Sequence, residues 1–167
     1  MKKVLILTAL VMGTTASAAM MLTGTDKSFV PKAAMGNQFE IEAAKLAQSM
    51  SMDSKVKAYA QKMITDHTKL GADVKAAVKM ADPAMMVPTK VSPAQQKMLG
   101  ALKAAGKNFD RLYKKDMEAS HAATYALFQK YSSAANANPD LKAVVKGALP
   151  TVKGHLDMAK GLPTMAM

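Results

Sequence analysis

Three histidines, His67, His121 and His155, are the only imidazoles in a chain that also lacks cysteine and has three Glu against nine Asp. Imidazole nitrogens are ligands for first-row transition ions, and with an inward carboxylate they can form a metal site. The absence of cysteine removes disulfides, thiolate metal sites, Cys nucleophiles and a lipid-modified N-terminal cysteine. Each histidine interrupts an apolar helical stripe of alternating three and four spacing. The first stripe runs Val56, Ala60, Met63, His67, Leu70, Val74 and Ala77. The second runs Phe109, Tyr113, Met117, His121, Thr124 and Phe128, and the third Leu141, Val145, Ala148, Val152, His155 and Ala159. A less regular stripe, Phe29, Ala33, Gly36, Glu40, Ala43 and Ala47, turns Glu40 inward in the same way.

Counting from the turns tests whether these groups can meet. His121 lies about fifteen residues before the Asn136 turn and His155 about nineteen after it, roughly one helical turn apart in height. Glu40 and His67 differ by ~7 Å about the Ser51 turn, which tilt and side-chain reach can absorb. Glu118 and His121 form Glu-x-x-His, the spacing of carboxylate-bridged bundle sites, so Glu118 joins Glu40, His67, His121 and His155 as a candidate ligand. Asp66 beside His67 is a candidate outer partner, as is Tyr113. Asp110 lies ~16 Å from His121 along the axis and cannot share its ion; it suits the positive end of its own helix. A full di-iron site needs four carboxylates and two such repeats, and this chain has one repeat. Fe, Mn or Zn are the expected ions, ahead of Cu.

Each candidate has a plainer alternative. A seam histidine can be a core residue hydrogen-bonded to a carbonyl or a Tyr, and Glu118 can pair with Lys114 or Lys115 on a solvated face. If the three histidines share an ion, at least two of their nitrogens must lie within ~5 Å of each other. The sixteen Met offer a competing soft site for Cu(I) at the close pairs Met50 and Met52 or Met85 and Met86. The same residues serve as gap-fillers or as reversible oxidation sites.

The elements that position these residues are helices almost throughout. Ser28 is read as the cap of a first helix to about Met50, with Pro31 in its opening turn. Asp53 or Ser54 caps a second, which stops at Asp82-Pro83. Residues 83–91 form a loop, and Ser92-Pro93-Ala94-Gln95 is a capping box opening a shorter helix that weakens at Gly100 and Gly106. Asn108 starts a long helix to about Tyr131, and Asn138 caps the last. Pro150 should kink or break that last helix, because it cannot donate to the Lys146 carbonyl. Strand patterns are absent. The expected fold is all-α, an antiparallel four-helix, ferritin-like bundle with an additional short helix.

The N-terminus reads as an export signal. Met1-Lys2-Lys3, an apolar stretch from Val4 to Met12 and a small-residue end at Ala16-Ser17-Ala18 match a Sec-type leader, with cleavage after Ala18 or Ala19. The expected organisation is a leader over 1–19, a linker over 20–27, the bundle over 28–162 and a tail over 163–167. The mature chain then has no membrane-spanning segment and is periplasmic or secreted, and not a lipoprotein. Losing Lys2 and Lys3 lowers the formal charge from +11 to +9. That charge comes from scattered Lys with a single Arg, which suits solubility and leaves attraction to anionic envelope polymers or lipid headgroups as the partner class. Nucleic acid is not an expected partner.

The runs Phe39-Glu40-Ile41-Glu42-Ala43-Ala44, Met63-Ile64-Thr65-Asp66-His67-Thr68 and Asn108-Phe109-Asp110-Arg111-Leu112-Tyr113, then His121 and Leu149-Pro150-Thr151-Val152-Lys153-Gly154-His155-Leu156, resemble the exported bacterial family named domain of unknown function (DUF) 4142. The resemblance covers roughly residues 29–162 and implies a ferritin-like bundle. It carries over Glu40, His67, Asp110, His121, Pro150 and His155. Members are often labelled outer-membrane proteins, yet this sequence has no transmembrane barrel pattern. No activity comes with the family, and phosphate loops, nucleophile elbows and H-E-x-x-H are absent, so the reading leans away from an enzyme. Two functions stand side by side: a periplasmic metal-binding bundle, or a non-enzymatic envelope or stress-associated module acting through its basic surface, its core histidines purely structural.

Overall fold

A computed structural model describes residues 20–164. The leader assigned to 1–19 lies outside the described residues, as do residues 165–167 of the tail. Five α-helices and one short 3-10 turn make up the chain: α1 (Gly24–Met50), α2 (Ser54–Ala81), α3 (Pro93–Ala104), the turn Gly106–Asn108, α4 (Phe109–Ser132) and α5 (Pro139–Lys160). No strand occurs among the described residues.

Local chemistry sets most of these boundaries. Asp53 accepts from the N–H groups of Lys55 and Val56 to open α2. Ser92 and Gln95 form a reciprocal capping box on α3, and Asn138 accepts from Asp140 and Leu141 on α5. Gly106 takes φ +51°, a left-handed turn that glycine adopts without strain, where α3 gives way to α4. Gly100 does not weaken α3, which runs through it to Ala104.

Two further expectations about the helices are corrected, at the start of α1 and at Pro150, and α4 starts after Asn108 as expected. The cap of α1 is Thr23, not Ser28: Thr23 and Asp26 form a capping box, and the helix starts at Gly24. Residues 20–27 are therefore no free linker, since Leu22 and Asp26 are buried. Pro31 lies inside the helix in consequence. Asn108 precedes α4 without a side-chain cap; its Oδ1 instead accepts from Arg111. Helix α5 continues through Pro150 to Lys160. Pro150 is exposed, so its missing N–H removes one hydrogen bond on the solvent side and the packed face carries the helix past it.

The four long helices form a ring in which α1 packs on α2, α2 on α5, α5 on α4 and α4 on α1. The two hairpins make α1 antiparallel to α2 and α4 antiparallel to α5. The start of α1 meets the α4–α5 turn, with Thr25 donating to Asn136 and Asp26 accepting from Tyr131 and Asn138. All neighbours are thus antiparallel and the diagonal pair α2 and α4 is parallel. A parallel pair cannot be joined by a tight turn, so residues 82–108, including α3, cross the length of the bundle. One long crossover is the connectivity of ferritin-like bundles.

The core is divided in two. One apolar cluster, with Phe39, Tyr59, Met63, Leu102, Phe109, Tyr113 and Met117, fills the α3 end. The other, with Phe29, Val30, Val74, Val78, Phe128, Tyr131 and Leu141, fills the opposite end. Glu40, His67, His121 and His155, each no more than 1% exposed, belong to neither cluster and form a buried polar layer.

Candidate metal centre

Helix packing delivers the three imidazoles to one point: His67 from α2, His121 from α4 and His155 from α5. Their ring centroids are 5.2 to 5.5 Å apart. Each ring offers one nitrogen to a group whose members all lie within 4.8 Å of one another. His67 Nε2 is 3.2 Å from His155 Nδ1 and 3.4 Å from His121 Nε2. All three nitrogens meet the separation that a shared ion requires.

The opposite ring nitrogens fix the protonation. His121 Nδ1 is 2.8 Å from the Met117 carbonyl oxygen, which only accepts, so that nitrogen carries the hydrogen. His155 Nε2 is 2.8 Å from Asp66 Oδ2 and donates to it. His67 Nδ1 is 2.9 Å from Asn37 Oδ1 and 3.2 Å from Glu40 Oε2. Asn37 Nδ2 donates to the His67 carbonyl at 3.0 Å, which orients the amide with its oxygen toward the ring. His67 Nδ1 is therefore a donor as well. The remaining nitrogens, His67 Nε2, His121 Nε2 and His155 Nδ1, all present lone pairs to a common space. Three lone pairs at such distances repel unless a cation stands between them.

The carboxylates sit behind the rings. Glu40 is fully buried; its Oε1 accepts from Ser120 at 2.7 Å and from Thr124 at 3.4 Å, and lies 3.7 Å from His121 Nδ1. Its Oε2 has no hydrogen-bond donor, because the His67 hydrogen is directed at Asn37. Burial alone would raise the Glu40 pKa, but His121, His67 and the Ser120 hydroxyl outweigh it and hold it below the usual range. Asp66 also stays ionised: burial opposes this, and Lys62 at 2.8 Å together with His155 prevails. Burial pushes His67 down to about 4, against the pull of Glu40, and lowers His155 against the pull of Asp66. At neutral pH these two rings are neutral, the form a metal takes.

The other sequence candidates are placed elsewhere. Glu118 is not brought to the cluster; its Oε1 faces Lys114 at 3.9 Å. The buried face of α4 is centred on Met117 and His121, which leaves Glu118 on the flank. Asp110 is buried in the first turn of α4, with Oδ1 unpartnered, and Tyr113 is buried with its hydroxyl unpartnered. The methionine pairs do not form compact sites: Met52 and Met86 are 84% exposed, while Met50 and Met85 pack against opposite core clusters. Three residues that orient the cluster carried no sequence signal of their own, namely Asn37, Ser120 and Gly71, while Thr124, on the His121 stripe, reaches Glu40. A Cβ on Gly71 would stand 2.9 Å from Asn37 Nδ2, so the glycine gives Asn37 its place beside His67.

Fold and site together define a four-helix bundle with one long crossover and a buried histidine layer able to hold a metal ion. The family described as Domain of unknown function (DUF4142) matches residues 11–162, and the chain belongs to it. Neither the curated proteins nor the solved structures contain a match. Among the described residues, no helix is long and apolar enough to cross a membrane.

Proposed function

We propose that this protein binds one divalent first-row transition ion through His67 Nε2, His121 Nε2 and His155 Nδ1, and that it does so as an exported bundle protein. The observation that carries the reading is the convergence of three lone pairs whose rings are each held from behind by an acceptor. Carboxylate or carbonyl groups on the distal nitrogens are the usual outer partners of metal-bound histidine. The two observed nitrogen separations, 3.2 and 3.4 Å, match the edge of a tetrahedron with ligands ~2.05 Å from its centre, about 3.3–3.4 Å.

The donor set narrows the ion. Glu40 lies behind the rings and Glu118 lies outside, so the inner donors are three neutral nitrogens. Imidazole suits Zn, Cu, Fe and Ni, whereas Mn prefers carboxylate and water oxygen. Zn is the best fit, Fe remains compatible, and Mn, which the sequence admitted, is the poorest. The negative charge of the buried Glu40 would offset one of the two positive charges of the ion, while that of Asp66 is shared with Lys62. Export rests on the leader-like residues 1–19, and N-terminal sequencing of the envelope fraction checks it.

Metal analysis of untagged protein, beside the His67→Ala/His121→Ala double variant, tests the binding. One ion per chain in the wild type and none in the variant is the expected result. A wild type without stoichiometric metal that gains no thermal stability from Zn, Fe, Mn or Cu ends the proposal.

A further inference from the structure

Two clefts touch the histidine layer. One, of about 340 Å³, opens between α1 and α2 beneath Val87 and Pro88 and ends at Asn37, Glu40 and His67. It meets His67 from behind, where the donor nitrogen and the carboxylate lie. The other, of about 400 Å³, opens between α2 and α5 and is lined by Asp66, His67 and His155 with Gly147, Ala148 and Thr151. Two of the three rings border it, and small side chains on α5 keep its wall low.

The anchors behind the rings differ in the same sense. Glu40 is wholly buried, and the Met117 carbonyl lies inside α4, bonded to His121 in the core. Two anchors reach the surface: Asn37, a neutral amide partly buried in the α1–α2 cleft, and Asp66, the charged one, whose side chain is 25% exposed and shared between His155 and Lys62, both at 2.8 Å. His155 can therefore lose its anchor to solvent without opening either apolar cluster. His121, anchored on a carbonyl in the core, cannot.

Resting on the metal reading above, we infer that the α2–α5 cleft is the route by which a hydrated divalent cation reaches and leaves the three nitrogens, with His155 as the ligand that swings and Asp66 as its latch. Asp66 is the carboxylate such a cation meets first, and an ion bound there weakens the Asp66–His155 hydrogen bond as it arrives. Once the ion is seated on the three nitrogens, Asp66 acts on it only through His155 and is a positioning residue.

Stopped-flow uptake of Co²⁺ by the full chain, read by visible absorbance, and its release to a chelator test the route. A Cβ added at Gly147 meets open space and the residue lines the cleft, so Gly147→Phe brings a ring to its wall, and Thr151→Phe is a second plug. Both plugs should slow uptake and release about tenfold while keeping stoichiometry and final spectrum, and Asp66→Asn should speed release about tenfold. Ala34→Phe, in the α1–α2 cleft, should change neither rate. Wild-type rates in both plugged variants, with folding verified by circular dichroism, overturn the route, as does slowing by Ala34→Phe alone. A wild type that develops no Co²⁺ band overturns the metal reading itself, and the route with it.

Discussion

His67 Nε2 and His121 Nε2 face each other across 3.4 Å, and the other nitrogen of each ring is already committed as a donor, His67 to Asn37 and His121 to the Met117 carbonyl. Neither ring can turn its hydrogen inward without leaving a buried acceptor unpaired, which costs ~1–3 kcal/mol. The helix that carries His121 supplies its own anchor through an i−4 carbonyl, whereas His67 depends on α1. The ligand space is therefore formed by tertiary packing before any ion arrives.

Acid should destabilise the metal-free protein well above the carboxylate range. The His67 pKa falls from 6.5 to about 4 on folding, chiefly through burial, and that of His155 falls for the same reason. Below pH 6.5 the unfolded chain binds protons that the folded chain excludes. Stability is thus fully present above pH 6.5 and is lost as pH falls toward 4. Urea unfolding at pH 7.5 and pH 5 should show a loss of about 2 kcal/mol from His67 alone. The lowered Glu40 and Asp26 groups act in the same direction only at lower pH, so an unchanged midpoint at pH 5 would contradict buried neutral histidines.

Zinc should stabilise the wild type and fail to stabilise ligand variants. At a free ion concentration a hundred times the dissociation constant, the gain is ~2.7 kcal/mol, or roughly 6–10 °C for a chain of this size. Differential scanning fluorimetry with Zn²⁺ and with chelator measures it. His121→Ala should show the same Tm in both, because two nitrogens remain where three are needed.

Glu40→Gln keeps the shape and removes the charge behind His67 and His121. Ion affinity should fall about 10–100-fold, the usual effect of losing an outer carboxylate, while the helical spectrum is retained. Calorimetric titration reads this directly. An affinity equal to wild type would show that Glu40 serves packing alone.

Gly71→Ala is a finer probe of the same support. The new methyl meets Asn37 Nδ2 at 2.9 Å, and the amide has to move away from His67. Alanine favours a helix interior over glycine by about 1 kcal/mol, so the variant should unfold no earlier than wild type yet bind the ion several-fold more weakly. Equal affinity would mean that Asn37 does not orient the ring.

Asp26 is a structural anchor independent of the metal. It is fully buried and accepts from Tyr131 Oη at 2.6 Å, from Asn138 N at 3.0 Å and from Thr23 N at 2.7 Å, joining α1 to the α4–α5 turn. Burial would raise its pKa, but these donors, led by Tyr131, hold it below the usual range. Asp26→Ala should cost about 2–4 kcal/mol in urea unfolding, because four donors, the Thr23 hydroxyl among them, lose their acceptor at one end of the bundle. Ion binding by the folded variant should be unaffected.

The sequence made the bundle legible because its signals are local. The caps Asp53, Ser92 and Asn138 and the stripes around His67, His121 and His155 are each contained within one helix. Thr23 and Asp26 form an equally local box, but the preference for Ser28 and Pro31 as an opening turn concealed it. What a stripe cannot give is rotation of a ring or the identity of a neighbour. Glu40 was correctly turned inward, yet its place behind His67 depends on which nitrogen of that ring faces α1. Glu118 shares the Glu-x-x-His spacing, but that spacing brings both groups to a site only when the buried face lies between them, and here it is centred on Met117 and His121. Asn37 and Gly71 meet across two helices, so neither carries a message alone.

X-ray absorption at the zinc K-edge, on untagged protein loaded with one equivalent of Zn²⁺, tests the three-histidine site most directly. A shell containing three nitrogens at ~2.0–2.1 Å, with the outer scattering pattern of imidazole, is the expected result. A shell of oxygen donors without imidazole scattering, or failure to retain one equivalent through desalting, would contradict it.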